Sequence, residues 1–386
     1  MTKYQLKIYQ SITDISRSDW NSLVTPDVVP FLEWEWLSAL EESGSVCPET
    51  GWHPLHVCLF DEKRLVAAAP LYLRTSSGGE YIYDYFWVEA AETMGRLWYP
   101  KMVGAPAATP AEGYRFLSGT GTLNAALLEA AETICRKNDI PSLSFLWADP
   151  AFGELLETKG YIPWDHMHYL WENQDFSSFD DYLALFSKNQ RKNIRKEYNR
   201  HLEQGITIRV IQGEDAEKDH YRKMFELFSI TNDKFIPWDA RWVTEDFFLL
   251  LEKKCRKITA FVEARRELTG EIIALAFLVR KGDRLWGRYW GAYEEVRDLH
   301  FAVCYYAPID YCIQHHIRYF DPGAGSSHKI RRGFRAMKNR SWHKFFDPVL
   351  DRLFRYNIKA VNRQEAARRN DLNAELPFKE PLENKI

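Results

Sequence analysis

Cysteine is scarce in this chain of 386 residues, and long apolar runs are absent. Six cysteines, at positions 47, 58, 135, 255, 304 and 312, are scattered without a C-x-x-C pair. This excludes a disulfide framework and a zinc ribbon, and suits free thiols in a reducing compartment. No eighteen consecutive apolar residues occur; the longest strong run, Ile272–Val279, is the length of a strand, so no membrane-spanning helix is expected. The opening twenty residues lack the apolar segment of a signal peptide, and the expected location is the cytoplasm. Charge of neither sign dominates, with 51 Lys+Arg against 54 Asp+Glu, and a global nucleic-acid-binding field is excluded. Modest glycine and proline (20 and 17) with 46% hydrophobic residues exclude disorder and a fibrous fold. Aromatics are what the chain has in excess: 14 Trp, 20 Tyr and 23 Phe, most of them expected as core fillers.

An internal repeat organises the remainder. The first half reads as a strand (4–9), a short helix capped by Ser18 or Thr13, and a helix over 31–43. Two strands (54–60 and 65–73), a long irregular stretch, a helix over 123–137 and a strand over 142–147 follow. About two hundred residues later the order recurs. It runs through a strand (206–210), helices over 216–230 and 244–254, strands over 258–264, 272–279 and 285–289, a helix over 302–316 and a strand over 317–320. Pro308 predicts a kink or a late start in that last helix. The expected fold class is α+β with mixed sheets. Domains are expected over 1–175 and 176–352, with a polar helix and mobile tail over 353–386.

Several strings carry a family likeness. They are Pro70-Leu71-Tyr72-Leu73-Arg74 with Gly79-Glu80-Tyr81-Ile82-Tyr83-Asp84, Trp98-Tyr99-Pro100-Lys101, and Ser187-Lys188-Asn189-Gln190-Arg191-Lys192-Asn193-Ile194-Arg195. Gly287-Arg288-Tyr289-Trp290-Gly291, Phe320-Asp321-Pro322-Gly323-Ala324 and His328-Lys329-Ile330-Arg331-Arg332-Gly333-Phe334 complete the set. Together these resemble the Fem-like N-acyltransferase family of bacteria, related to peptidoglycan. The resemblance implies two tandem domains of the GNAT acyltransferase fold and transfer of an acyl or aminoacyl group to an amine acceptor. The donor would be aminoacyl-tRNA or acyl-CoA as a co-substrate, with no permanently bound cofactor. The second half would hold the donor, and a groove between the halves the acceptor. A non-catalytic protein that keeps the groove for an amine, glycan or nucleotide ligand is the alternative.

Residue chemistry then narrows the site. Acyl transfer needs a proton acceptor for the attacking ammonium and a proton donor for the leaving group. Glu80 and Asp84 lie among tyrosines, where burial would raise a carboxyl pKa; His300, Tyr305 and Asp321 are the other catalytic candidates. A small-residue turn beginning at Gly323 lets a ligand approach the backbone, and His328, Lys329 and Arg332 follow it as an anion clamp. Arg288 and Trp290 would line the same place from one strand face. The helical segment 187–204 carries Lys188, Arg191 and Arg195 among six basic residues, with Lys188, Lys192, Arg195 and Lys196 on one stripe, and suits a phosphate-rich partner. Where an acyl-CoA enzyme needs a glycine-rich turn, Val296–Ala302 has no glycine; Gly119-Thr120-Gly121-Thr122 is the remaining phosphate-binding candidate or a plain helix start. No histidine or cysteine spacing suggests a metal, and no DNA partner is expected.

Overall fold

Pro70, without a backbone N–H, ends one strand and begins the next, and similar breaks set the element boundaries of the first half. The computed structural model describes residues 4–234, 241–325 and 327–379. Its first stretch runs β1 (Gln5–Tyr9), α1 (Arg17–Asn21), α2 (Trp34–Glu42), β2 (Trp52–Pro54), β3 (His56–Asp61), β4 (Arg64–Ala69) and β5 (Leu71–Arg74). Then come α3 (Tyr85–Thr93), β6 (Lys101–Gly104), β7 (Leu117–Ser118), α4 (Gly121–Lys137), β8 (Ser142–Ala148) and α5 (Pro150–Thr158). β9 (Ile162–Glu172), α6 (Phe179–Ala184), α7 (Lys188–Glu203), β10 (Ile206–Gln212), α8 (Asp219–Asp233) and α9 (Glu245–Lys254) follow. The chain closes with β11 (Thr259–Arg266), β12 (Ile272–Lys281), β13 (Arg284–Ala292), α10 (Leu299–Phe301), α11 (Ala307–Gln314), β14 (Tyr319–Asp321), β15 (Arg335–Phe345) and α12 (Pro348–Ala374).

Two compact units share these elements. One comprises Met1–His166, Trp242–Phe247 and Lys338–Ala366; the other comprises Met167–Arg241, Phe248–Met337 and Ala367–Ile386. Their connectivity repeats. In the first unit β1 pairs antiparallel with β3 and β3 with β4, while β6 runs parallel to β8 with α4 between them in sequence. In the second, β10 pairs antiparallel with β11, β11 with β12 and β12 with β13, while β13 runs parallel to β14 across the α10–α11 crossover. A parallel pair requires such a crossover, so the same order of strand types twice over is one sheet-and-helix plan used twice. The α+β fold of two tandem GNAT-like units follows from the sequence pattern, as expected.

Local differences have identifiable causes. Neither Ser18 nor Thr13 caps α1; the Ser16 side chain does, accepting from the Asp19 N–H. The irregular stretch after Arg74 contains α3 and β6, too short and too aromatic to show a period. β9 and β15, which the sequence pattern does not show, are eleven-residue strands whose polar residues interrupt the alternation. Near Pro308 the ladder widens: residues 302–306 form a π turn, with the Ala307 N–H bonding the Ala302 carbonyl, before α11 resumes. A proline that cannot donate and that crowds the preceding turn favours this local insertion.

The aromatic excess is mostly core. Trp20, Trp36, Trp52, Trp87 and Trp171 are fully buried. The expected polar helix is the 27-residue α12, which begins at Pro348, and its Leu350, Phe354 and Ile358 pack into a core with Trp87, Trp98, Ile162 and Phe345. Leu372, Leu376 and Phe378, further along, pack against the core of the second unit. The expected mobile end beyond 379 lies outside the described residues. Phe354 sits 4.5 Å from Trp87, ring centre to ring centre. Phe354→Ala is therefore expected to cost about 3–5 kcal/mol in urea unfolding; a change under ~1 kcal/mol would return this helix to the status of a surface tail.

Candidate functional site

β13 and β14 run side by side for only three residue pairs, Arg284–Trp286 with Tyr319–Asp321. Beyond that point β13 continues to Ala292, while β14 ends at Asp321 and the following turn at Pro322 and Gly323 lies against Gly287. β13 is also bulged there: Phe277 faces Tyr289 and Leu278 faces Gly287, leaving Arg288 as the extra residue. A bulge re-aims its side chain and increases local twist. Arg288 reaches Asp321, with Nη2 3.3 Å from Oδ2, and the other carboxylate oxygen accepts the Gly323 N–H at 2.7 Å. Gly323 has a φ of +79°, and a Cβ there would lie 2.7 Å from the Gly287 carbonyl oxygen, so only glycine fits.

Lys329 fastens the far side of this turn. Its Nζ donates to the carbonyls of Gly323 (2.7 Å) and Ala324 (3.0 Å), and the residue is buried. Burial pushes the ammonium pKa down to about 8, against the opposing pull of Asp321 and Cys304. Arg332 is buried as well. Its guanidinium lies 3.3 Å from the ring centre of Phe301, donates to the His328 carbonyl at 2.9 Å, and pairs with Glu197 at 2.8 Å. Lys329 and Arg332, expected as donors of an anion clamp, are both turned inward. Both cations direct N–H groups at protein oxygens, because a buried charge must be paired.

Beside them lies a neutral cluster. Tyr305 and His328 share a hydrogen bond of 2.8 Å between the phenol oxygen and Nε2. The His300 ring stands 5.2 Å from Trp290, 5.3 Å from Tyr305 and 5.9 Å from His328. Burial, with the charges of Lys329 and Arg332, takes His328 down to about 4; burial, His328 and the same cations take His300 to about 3. Both imidazoles are therefore neutral at pH 7. Burial raises the Tyr305 phenol. A hydrogen-bonded phenol and a neutral imidazole can pass a proton in either direction, the chemistry that acyl transfer asks for.

The structure brings together His300, Tyr305, His328 and Trp290, and joins them to Arg288, Asp321, Gly323 and Lys329 through the 323–332 segment. Lys188, Arg191 and Arg195 lie elsewhere on that unit, along α7: Lys188 and Arg195 are exposed, Arg191 is half-buried, and Arg195 pairs with Asp180 at 2.8 Å. The sequence reading missed Glu197 on this same helix. Its Oε2 accepts from Tyr306 at 2.5 Å and from Arg332 at 2.8 Å. The lone acid pointing inward from an otherwise basic helix was the available signal.

Glu80 and Asp84 lie in the other unit, buried on both sides of Lys101, whose Nζ is 2.7 Å from each carboxylate. Arg74 adds a bond to Glu80 at 3.1 Å, and Trp98 and Tyr99 donate to Asp84 at 2.6 and 2.5 Å. Burial raises Glu80 against the pull of Lys101 and Arg74. For Asp84 the expected rise is reversed: burial pushes up, but the Lys101 charge and three donors outweigh it and hold the carboxyl below its ordinary value. Each carboxylate faces protein donors, so removing one partner would leave an uncompensated charge in the unit's interior. The Gly119–Thr122 turn is an exposed helix start, where the Thr120 side chain accepts from the Leu123 N–H at 3.4 Å. Among the described residues no group of three or more His, Cys, Asp or Glu is placed to hold a metal ion.

Comparison with known proteins decides the family. Residues 11–380 match the FemAB-like family, described as peptidoglycan biosynthesis/recognition. The chain belongs to the FemAB-like family. FemX shares its fold, with a TM-score of 0.54 at 11% identity over 91% of this chain and all of that one. The C-terminal domain of a protein described as a lysylphosphatidylglycerol synthetase from Agrobacterium fabrum aligns with a TM-score of 0.53 at 10% identity, over 86% of this chain and 92% of that one. A protein of unknown function from Bacteroides thetaiotaomicron gives 0.52 at 10% identity, over 88% and 99%. No curated protein matches in sequence. Among the described residues, no helix of this FemAB-like protein is long and apolar enough to cross a membrane.

Two expectations follow. Lys101→Met leaves two buried carboxylates without their cation and is expected to cost about 3–5 kcal/mol in chemical denaturation; a loss below ~1 kcal/mol would contradict the buried triad. Burial holds His166 and His300 down to about 3 and His328 to about 4, below the ordinary imidazole range. Below about pH 6.5 the unfolded chain takes up protons that the folded chain refuses, so the contribution of these three imidazoles falls as pH drops and is constant above 7. The urea midpoint is expected to decline steadily from pH 7 to pH 5; a flat profile would mean these imidazoles are not held neutral.

Proposed function

We propose that this FemAB-like protein is an N-acyltransferase that moves an aminoacyl group from aminoacyl-tRNA to an amine of a peptidoglycan precursor. The observation that carries the reading is the hydrogen bond between Tyr305 and His328, with the His300 ring packed against both and against Trp290 of β13. Exposed main-chain groups along β13 would hold the acyl portion in extended form. The acceptor nitrogen attacks the ester carbonyl, an N–C bond forms and the C–O bond to the ribose breaks. Of the two protons the ammonium gives up, one goes to water. The other passes through His328 and Tyr305 to the leaving ribose oxygen. Asp321 and Arg288 keep the Gly323 turn in place for this step.

Asp298 favours tRNA over acyl-CoA as donor. It occupies the start of α10 with a φ of +65°, and its carboxylate pairs with Arg200 at 2.7 Å. A CoA pyrophosphate at that helix start would need free amides, whereas the Leu299 N–H is bonded to the Val296 carbonyl and the Phe301 and Ala302 N–H groups to the Asp298 carbonyl. The family description supports a cell-wall acceptor.

Incubation with charged tRNA and an amine-bearing muropeptide precursor should release the aminoacyl ester and give an amide product. Tyr305→Phe and His328→Gln are each expected to lower turnover roughly 100-fold or more while the protein stays folded. Turnover with acyl-CoA in place of tRNA would overturn the donor assignment. Tight precursor binding without ester loss from any donor would overturn catalysis in favour of recognition.

A further inference from the structure

The geometry points to a second nucleic-acid contact, on α12, where the phosphate backbone of structured RNA docks along an outward basic stripe. This inference rests on the tRNA donor proposed above. Arg352, Tyr356, Lys359 and Arg363 are spaced by four, three and four residues, which places them on one face of the helix. Arg352, Lys359 and Arg363 are exposed, and Tyr356 is 87% exposed. Among the described residues none of the three cations makes an ion pair, whereas the neighbouring Arg355 is paired with Asp351. From 352 to 363 there is no acidic residue, in a chain whose net charge is −3. The stripe covers about 16 Å at the helical rise.

Charge complementarity names the occupant as a polyanion, and the helix's other face selects which one. A helix that lies on an anionic membrane buries its apolar side in lipid. Here the apolar side is already spent: Leu350, Phe354 and Ile358 are locked into the core around Trp87 and Trp98. What remains outside is cationic, rigid, and interrupted by one exposed tyrosine ring that a base or ribose can stack on, the combination typical of RNA-contacting surfaces.

The test measures binding of deacylated mixed tRNA by fluorescence anisotropy between about 50 and 200 mM salt, for the full chain and for the triple variant Arg352→Gln, Lys359→Gln, Arg363→Gln. Loss of three phosphate contacts is expected to weaken binding about tenfold or more and to reduce the salt slope by about two. Tyr356→Ala is expected to weaken binding severalfold with little change in slope. Equal affinity and slope for wild type and triple variant, at an unchanged urea midpoint, would overturn the α12 contact while leaving the donor proposal standing. Wild-type protein that binds no tRNA at all would overturn both. Loss of binding to phosphatidylserine vesicles with tRNA binding untouched would overturn it in favour of a membrane contact.

Discussion

The buried ammonium of Lys329, held by two backbone carbonyls of the turn after β14, is the constraint on which the site depends. Those carbonyls belong to Gly323 and Ala324, and the turn they form is pressed against Gly287. Asp321 secures the same turn from the strand side by taking the Gly323 N–H and the Arg288 guanidinium. Without these bonds the residues between β14 and β15 would lose their anchor, and His328 would lose its alignment with Tyr305. Charge has been moved indoors to build a rigid opening, which explains why so basic a segment is so little exposed.

The same economy governs the first unit, where Lys101 sits between Glu80 and Asp84. One tandem plan thus carries a buried lysine in each unit, with opposite surroundings. In the first, carboxylates surround the cation and raise its pKa above the ordinary value, against the cost of burial. In the second, carbonyl dipoles surround it and burial wins, lowering the pKa to about 8. The first arrangement neutralises and stabilises. The second leaves a positive charge that adds to burial in holding His300 and His328 unprotonated.

Much of the architecture was legible from sequence because it obeys period and punctuation. The meander β11 to β13 shows as continuous apolar runs, α9 begins behind Thr244, whose hydroxyl accepts the Phe247 N–H, and the repeat of element order is visible by eye. Short or polar elements escaped: α3 is aromatic on several sides, and β15 reads as a basic loop because Arg335, Lys338, Arg340 and Lys344 interrupt its apolar face. Site residues were legible by type and not by environment. His328, Tyr305 and His300 could be nominated because such side chains do proton transfer, but nothing in the string Arg331-Arg332-Gly333 indicates that Arg332 turns inward onto Phe301. Glu80 and Asp84 looked like bases because their partner, Lys101, stands seventeen residues or more away. Glu197 was hidden by its basic neighbours.

The most direct measurement of the central claim is a crystal structure with a non-hydrolysable 3′-aminoacylamino-adenosine, the terminal nucleoside of a charged tRNA with its ester replaced by an amide. The account predicts the acyl carbonyl beside the stretch of β13 that follows its last pairing with β14, within hydrogen-bond reach of the Tyr305 hydroxyl. Density for that compound anywhere else on the second unit, or a CoA pyrophosphate seated on the amides at the start of α10, would contradict it.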